Sequence, residues 1–301
     1  MTETAPPGCP DIDTRLVRRL VDDRFPRWAG LPLRPVSPGG LDHVIHRLGD
    51  DLSVRLPRHA DAAGQADKES LWLPRLAPHL PLAVPEPVAV GEPGFGYPWP
   101  WAVSRWLPGE TATVEALADS AVCARRLARF LAALQRSTPR DVPERLAGEP
   151  LALRDPDTRS SIAMVADTFD ARALASLWES ALDAPAWNRP PVWFHGDFHT
   201  GNLLTTGGEV SAVIDFGSLG LGDPARDLMM AFTLMSPATR AEFRAELGTE
   251  FGLGPGEDDA LWARGRGWAL ATGLIAHVVH AAAHPDIAAQ TTRQIEQALL
   301  G

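Results

Sequence analysis

Lysine is almost missing from this sequence: it occurs once, at Lys68, so nearly all of the 28 basic residues are arginine. Cysteine is as scarce. Cys9 stands in a Pro/Gly-rich N-terminal stretch and Cys123 in a helical one, with no Cys-x-x-Cys spacing. That excludes a disulfide framework and a structural zinc site, and a reduced, cytoplasmic compartment fits such a chain. A basic surplus is also lacking, since 38 acidic residues outnumber the basic ones and the formal net charge is −10. Binding to nucleic acid rests on neutralising phosphates with such a surplus, so no nucleic-acid partner is expected. An acidic chain attracts cationic ligands instead. Long apolar runs are missing too. The most apolar stretch, Trp268 to Ala283, is broken by Thr272, Gly273, His277 and His280, and reads as a buried helix rather than a membrane span. The N-terminal MTETAPPGCPDIDTR lacks the basic and apolar regions of a signal peptide. Neither G-x-x-x-x-G-K-[ST], G-x-S-x-G nor H-E-x-x-H occurs, and Gly94-Phe-Gly96 lacks the third glycine and the helix of a dinucleotide fingerprint.

What is present is ordinary globular composition, 45% hydrophobic and 22% charged over 301 residues. That length suits two domains or one two-lobed domain. Residues 1–10 are expected to be disordered. Asp11 or Asp13 can cap a helix to about Arg24, with Ile12, Leu16, Leu20 and Val21 on one face. Short apolar runs at 33–37, 43–48 and 52–56, separated by Gly39-Gly40 and Gly49-Asp50-Asp51, predict antiparallel hairpins. A helix over 60–77 follows, with Leu71, Trp72 and Leu76 as its apolar side. An extended piece at 87–90 and a strand over 101–107 lead to Pro108-Gly109. Beyond this, helices are predicted over 114–135, 160–169, 172–184, 224–235, 237–251, 258–283 and 286–300, interrupted by strands at 192–194, 202–204 and 210–214. The expected fold is α+β, with a small antiparallel-sheet lobe over 1–108 and a larger, mainly helical lobe over 109–301.

One segment carries chemistry. After the apolar Val192-Trp193-Phe194 comes His195-Gly-Asp-Phe-His-Thr-Gly-Asn202, and thirteen residues beyond Asn202 stands Asp215-Phe216-Gly217. H-x-D-x-x-x-x-N followed by D-F-G is the layout of a kinase catalytic loop and metal-binding motif. Phosphoryl transfer asks the protein mainly for positioning and charge stabilisation. A carboxylate beside the acceptor hydroxyl takes its proton, and Asp197 is the candidate. Mg²⁺ prefers hard oxygen ligands; Asp215 offers a carboxylate and Asn202 an amide oxygen.

At these residues the sequence resembles the aminoglycoside phosphotransferase family, the small-molecule branch of the protein-kinase-like fold. Its ordered motifs stand here as His195-Gly196-Asp197 to Asn202, Ile214-Asp215-Phe216, and Gly222-Asp223-Pro224-Ala225-Arg226-Asp227-Leu228. The resemblance implies a bilobal kinase-like fold. It implies Asp197 as catalytic base, Asn202 and Asp215 as Mg²⁺ ligands, and Asp227 as a buried carboxylate tethering the catalytic loop through His195 or the loop's backbone amides. Asp223 would N-cap the same helix. Gly39, Gly40 and Asp42 lie where kinases cover the phosphates, and Arg55 stands where the phosphate-contacting lysine belongs. Glu69 would be its ion-pair partner. Ser104, Arg105 and Leu107 occupy the expected adenine-binding hinge.

Plainer readings exist for several of these: Arg55 as a surface arginine on an edge strand, Glu69 as a solvated helix residue, Gly39-Gly40 as a simple turn. His277, His280 and His284 share a helical face, where favourable interaction with the helix end is a simpler account than metal binding. His199 would touch either substrate or solvent. The implied activity is transfer of the γ-phosphoryl group of ATP or GTP to a small-molecule hydroxyl, first of all on an aminoglycoside-like, cationic acceptor. Asp155, Asp157, Glu257, Asp258 and Asp259 are candidate acceptor carboxylates. The alternatives are a metabolic kinase of a sugar, amino alcohol or amino-acid hydroxyl, a macrolide kinase, or a pseudokinase that binds nucleotide without turnover. A protein kinase fits less well, because no activation segment fits between Phe216 and Gly222.

Overall fold

Asp13, not Asp11, starts the first helix. In extended conformation its Oδ1 accepts the Leu16 N–H at 2.7 Å, as an N-cap should. The computed structural model describes residues 11–37, 39–137 and 143–301, so the expectation for residues 1–10 lies outside the described residues. The chain divides into two units: Met1–Pro78 with Ala83–Gly109 and Ala212–Gly217, and His79–Leu82 with Glu110–Ser211 and Ser218–Gly301.

The first unit contains α1 (Thr14–Arg24), β1 (Leu33–Pro35), β2 (His43–Leu48), β3 (Leu52–Pro57), α2 (Gln65–Leu76), β4 (Pro87–Gly91) and β5 (Trp101–Arg105). The strands form one antiparallel sheet in the order β1-β2-β3-β5-β4. The β2–β3 hairpin turns through Gly49 at φ +61°, and its register pairs His43 with Pro57 and Leu48 with Leu52. This alternation buries Leu48, Leu52, Val54 and Leu56 against Trp101, Val103 and the α1 residues Val17, Leu20 and Val21. The stripe on α1 adds Val17, at i, i+3, i+4 spacing, to the face read from the sequence, and Ile12 and Leu16 pack partly buried against the same cluster. β5 stops at Arg105, two residues early, because Trp106 donates its N–H to Asp51 O and Pro108 has none to give.

α2 starts at Gln65 after a 3₁₀ turn at Ala60–Ala62, instead of running unbroken from Ala60. Its buried face is Ala66, Glu69, Trp72, Leu73 and Leu76, and Leu71 is exposed. A glutamate therefore takes a place on the inner face and a leucine is turned out.

The second unit holds β6 (Glu110–Thr111), α3 (Val114–Leu117), α4 (Ala121–Arg136), α5 (Asp155–Met164), α6 (Ala171–Asp183), β7 (Val192–Phe194) and β8 (Leu203–Thr206). It continues with β9 (Glu209–Val213, its last two residues counted with the first unit), β10 (Gly220–Gly222), α7 (Met230–Thr233), α8 (Pro237–Phe251), α9 (Pro255–His280) and α10 (Pro285–Leu300). The helix expected over 114–135 is two helices, because the Ser120 hydroxyl accepts the Cys123 N–H and begins a new one. The helix expected over 224–235 is a 3₁₀ stretch, Pro224–Met229, followed by α7. α5 begins five residues before its expected start, with Pro156 in its first turn. The short strands β6 and β10 carry no readable sequence pattern. β10 pairs antiparallel with β7, Gly220 opposite Phe194 and Gly222 opposite Val192, which fixes the strand that feeds the catalytic loop. The core includes Phe130, Trp178, Trp193, Phe198, Phe232, Phe243 and Trp268. Ion pairs Arg125–Glu242, Arg129–Glu246 and Arg136–Glu250 link α4 to α8. No described helix is long and apolar enough to cross a membrane.

Gly91 shows how tight the first unit is. A Cβ there would lie 2.0 Å from Cε2 of the fully buried Trp101 ring. Gly91→Ala is expected to lower stability by about 1–3 kcal/mol, the cost of overpacking. Urea unfolding of the variant against the parent measures it, and an unchanged midpoint would contradict the packing.

Candidate active site

In the first unit, β3 puts Arg55 opposite Ile45 on one side and Ala102 on the other. Arg55 is thus on an inner strand of the sheet, not an edge. Its Nη1 donates to Glu69 Oε1 and Oε2 at 3.2 and 3.1 Å, and its Nη2 to Asp215 Oδ1 at 2.9 Å. The side chains of Arg55 and Glu69 are only 12% and 3% exposed, so neither is a solvated surface residue. A buried guanidinium is tolerable only when carboxylates face it. Burial pulls its pKa down, but the charges of Glu69 and Asp215 outweigh that and hold it above its ordinary value. Burial raises Glu69 despite the pull of Arg55. The neighbouring His43 is driven down to about 3 by burial and by the Arg55 charge, so its imidazole is neutral.

Asp215 has φ +65°, a left-handed conformation that costs a non-glycine residue roughly 1–3 kcal/mol. Arg55 grips its side chain, and the preceding strand is tied by Val213 N–H to Ala83 O.

The glycine loop is pinned through its carbonyls: Gly40 O accepts from Arg58 Nε and Asp42 O from Arg58 N–H. The Asp42 carboxylate accepts from His59 Nε2 at 3.1 Å and Gln65 Nε2 at 3.4 Å. No hydrogen bond among the described residues uses the N–H of Gly39 or Gly40, which suits a loop meant to meet phosphate oxygens. In the hinge, Ser104 is buried and its Oγ has no hydrogen-bond partner among the described residues. The Arg105 N–H is already taken by Glu86 O at 2.8 Å, so that donor is not free for adenine. Leu107 lies beyond the end of β5, partly buried.

In the second unit, the loop with the H-x-D-x-x-x-x-N motif leaves β7 at His195. Asp227 is fully buried, and its Oδ2 accepts the His195 N–H at 2.7 Å while Oδ1 accepts the Gly196 N–H at 2.8 Å. The tether runs to backbone amides, not to the His195 ring. That ring is buried as well; its Nδ1 accepts the Asp197 N–H at 3.3 Å. Gly196 has φ +87°, and a Cβ there would lie 2.3 Å from Ser218 O, so only glycine fits. Arg226 braces the turn from Nε to Gly196 O and stacks over Phe194 and Trp268. Asp223 caps Ala225 N–H and is gripped by Arg264 Nε at 2.6 Å and Nη2 at 3.1 Å.

Asp197 projects from this loop with its side chain half-exposed. Asn202 Nδ2 donates to its backbone O at 2.9 Å and its Oδ2 at 3.1 Å, and His199 Nε2 stands 3.5 Å from Oδ2. Partial burial opposes ionisation at Asp197, but His199, His195 and the Asn202 amide outweigh it and hold the carboxyl well below its usual range. With its amide nitrogen turned to Asp197, Asn202 keeps Oδ1 for another partner. Asp215 and Asn202 each offer the hard oxygen that Mg²⁺ prefers, so the donor types fit that ion.

His199 does more than face solvent. Its Nδ1 accepts from Gly201 N–H at 3.1 Å and lies 3.0 Å from Gln290 Nε2 of α10. Gln290 and Arg226 are partners of the loop that sequence reading overlooks, as is Arg264 for Asp223, 41 residues away with no local pattern to link the two. Most of the candidate acceptor carboxylates are already engaged. Asp155 takes Arg159 and Trp178 Nε1, Glu257 takes Arg189, and Asp258 and Asp259 share Arg244. The histidine row makes no metal site. His277 Nδ1 is 2.8 Å from Thr291 Oγ1, and no group of three or more metal-ligating side chains occurs among the described residues.

A sequence model of the APH phosphotransferase enzyme family matches residues 32–287. No curated protein matches the chain significantly. Among solved structures, the chain is similar to the GDP and kanamycin complex of APH(2'')-IIIa, at 18% identity over 94% of this chain and 97% of that one, with a TM-score of 0.70. The GDP complex of wild-type aminoglycoside 2'-phosphotransferase-IIIa gives 17%, 96%, 99% and 0.69. Macrolide 2'-phosphotransferase MphH from Brachybacterium faecium gives 24%, 94%, 97% and 0.59. At these identities the likeness is one of fold, and the α+β, kinase-like fold read from the sequence is the fold observed.

Burial pushes Asp227 up to about 6 from an ordinary 3.8, against the two amide hydrogen bonds that hold it down. The folded-state value lies above the unfolded one. The stability linked to this proton is therefore complete below about pH 4 and lost as pH rises through about 6. The gap corresponds to ~3 kcal/mol. Relative to Asp227→Asn, which cannot ionise, the parent should lose stability across that window and run parallel above it. Denaturant unfolding at several pH values tests this, and a pH-independent difference would remove the assignment.

Proposed function

The chain belongs to the phosphotransferase enzyme family, and on that footing we propose that it moves the γ-phosphoryl group of ATP or GTP, with Mg²⁺, to a hydroxyl of a small molecule. The observation that carries this reading is the state of Asp197: a half-exposed carboxylate kept ionised and aimed by Asn202 and His199 on a loop anchored by Asp227. Such a group is suited to orient an acceptor hydroxyl and take its proton as the oxygen attacks phosphorus. His195 and Asp227 act on the loop that carries it.

Asp215 and Asn202 are the proposed Mg²⁺ ligands. Bound Mg²⁺ neutralises phosphate charge. Arg55 is the proposed phosphate contact, oriented by Glu69; a guanidinium can fork two phosphate oxygens where the family's usual lysine offers a point charge. Gly39, Gly40 and Asp42 would shape the phosphate-covering loop. Ser104 would offer its unpartnered hydroxyl to the base, with carbonyl and amide groups near Arg105 and Leu107 beside it, less the Arg105 N–H. We place the reaction in the cytoplasm, where nucleotide triphosphate is at hand.

For the acceptor, an aminoglycoside-like polycation is the first reading. The chain's acidity supports it, as does its likeness to a fold seen with kanamycin. One observation favours a second reading, a less cationic acceptor such as a macrolide. The carboxylates Asp155, Glu257, Asp258 and Asp259 are already paired with arginines, and a polycation would have to compete for them.

ADP or GDP release in Mg²⁺ across a panel of aminoglycosides, macrolides, amino alcohols and sugars tests the reaction. Asp197→Ala is expected to lower kcat by about 10²–10⁴-fold, the range of a lost general base, with nucleotide binding retained. Wild-type turnover in that variant would overturn the base assignment. Nucleotide binding with no release for any acceptor would favour a pseudokinase.

A further inference from the structure

The chain's single lysine stands beside the metal-binding segment. Gln65, Lys68 and Glu69 of α2 are spaced i, i+3, i+4 and so share a face, and that face meets Asp215–Gly217. Glu69 reaches Asp215 through Arg55. Lys68 Nζ donates to the Gly217 carbonyl. Gln65 rests its side-chain amide on Gly217, where a Cβ would lie 2.1 Å from Oε1.

Asp215 cannot escape its left-handed φ by becoming glycine, because its carboxylate is needed. Such a conformation persists only where the surroundings over-determine it. The hold through Arg55 is conditional, since it loosens once the carboxylate turns to a metal or the guanidinium to phosphate. The hold from Lys68 is on a backbone carbonyl, and it does not compete with either.

We propose that Lys68 is a positioning residue that fixes the Asp215–Gly217 backbone so that the Asp215 carboxylate is presented to a magnesium-bound nucleotide. This rests on the phosphotransferase reading.

The test is calorimetric binding of ADP with and without Mg²⁺. Lys68→Met should cut the gain in ADP affinity that Mg²⁺ brings by about tenfold, the worth of a charged hydrogen bond, and leave metal-free ADP binding unchanged. Lys68→Arg keeps a donor and should keep most of the gain. A role limited to attracting the nucleotide's charge would show the reverse, because metal-free ADP is the more anionic ligand. That pattern, or a full magnesium gain in Lys68→Met, would overturn the proposal alone. A parent protein with no magnesium gain would overturn the proposal together with the metal assignment. The unaltered chain supplies a second readout that does not depend on a variant folding. Acetylation of Lys68, resolved by mass spectrometry from the terminal amine, should be slower with Mg²⁺ and ADP than with ADP alone, and equal rates would contradict the contact.

Discussion

Buried charges have to be matched, and each unit holds such a charge with its match inside the same unit. In the first unit the guanidinium of Arg55 is buried between Glu69 and Asp215. Removing Arg55 would leave two carboxylates with no cation between them, Glu69 in a low-dielectric interior. The amphipathicity of α2 follows from this. Glu69 occupies an inner position that apolar periodicity would give to Leu71, because its partner is inside. In the second unit the buried charge is Asp227, and its match is a pair of backbone amides in place of a cation. The loop that follows β7 is thus anchored at its root through the amides of His195 and Gly196.

The two motifs solve their backbone problem in opposite ways. At Gly196 the loop turns through positive φ with Ser218 O so close that no side chain is admitted. At Asp215 the φ is also positive, but the side chain is engaged by Arg55, so the conformation is held from outside. Arg55 and α2 supply that hold. The Asp215–Gly217 segment is thereby coupled to β3 and to α2, and the proposed role of Lys68 draws on this coupling.

Much of the fold was legible because it rests on local signals. Gly49 at a positive-φ turn, Asp13 as a cap and the alternation in β2 and β3 are written in short windows of sequence. The segments 43–48, 192–194 and 237–251 stand where periodicity puts them. Reading missed what individual side chains bond to. The Ser120 cap splits one apparent helix in two, and Arg264 seizes Asp223 from far along the chain.

The sequence by itself determined the family and the fold class, since the motifs from His195 to Asp227 stand in a fixed order along one short stretch of chain. Only the tertiary structure decided which charges are spent on each other. It decided that Arg55 is buried and shared, that Asp227 holds amides, that Arg105 has lost its N–H to Glu86, and that most of the candidate acceptor carboxylates are engaged by arginines. Motif order is a property of neighbours along the chain. Charge pairing is settled by distance and burial, which appear only when remote segments are brought into contact.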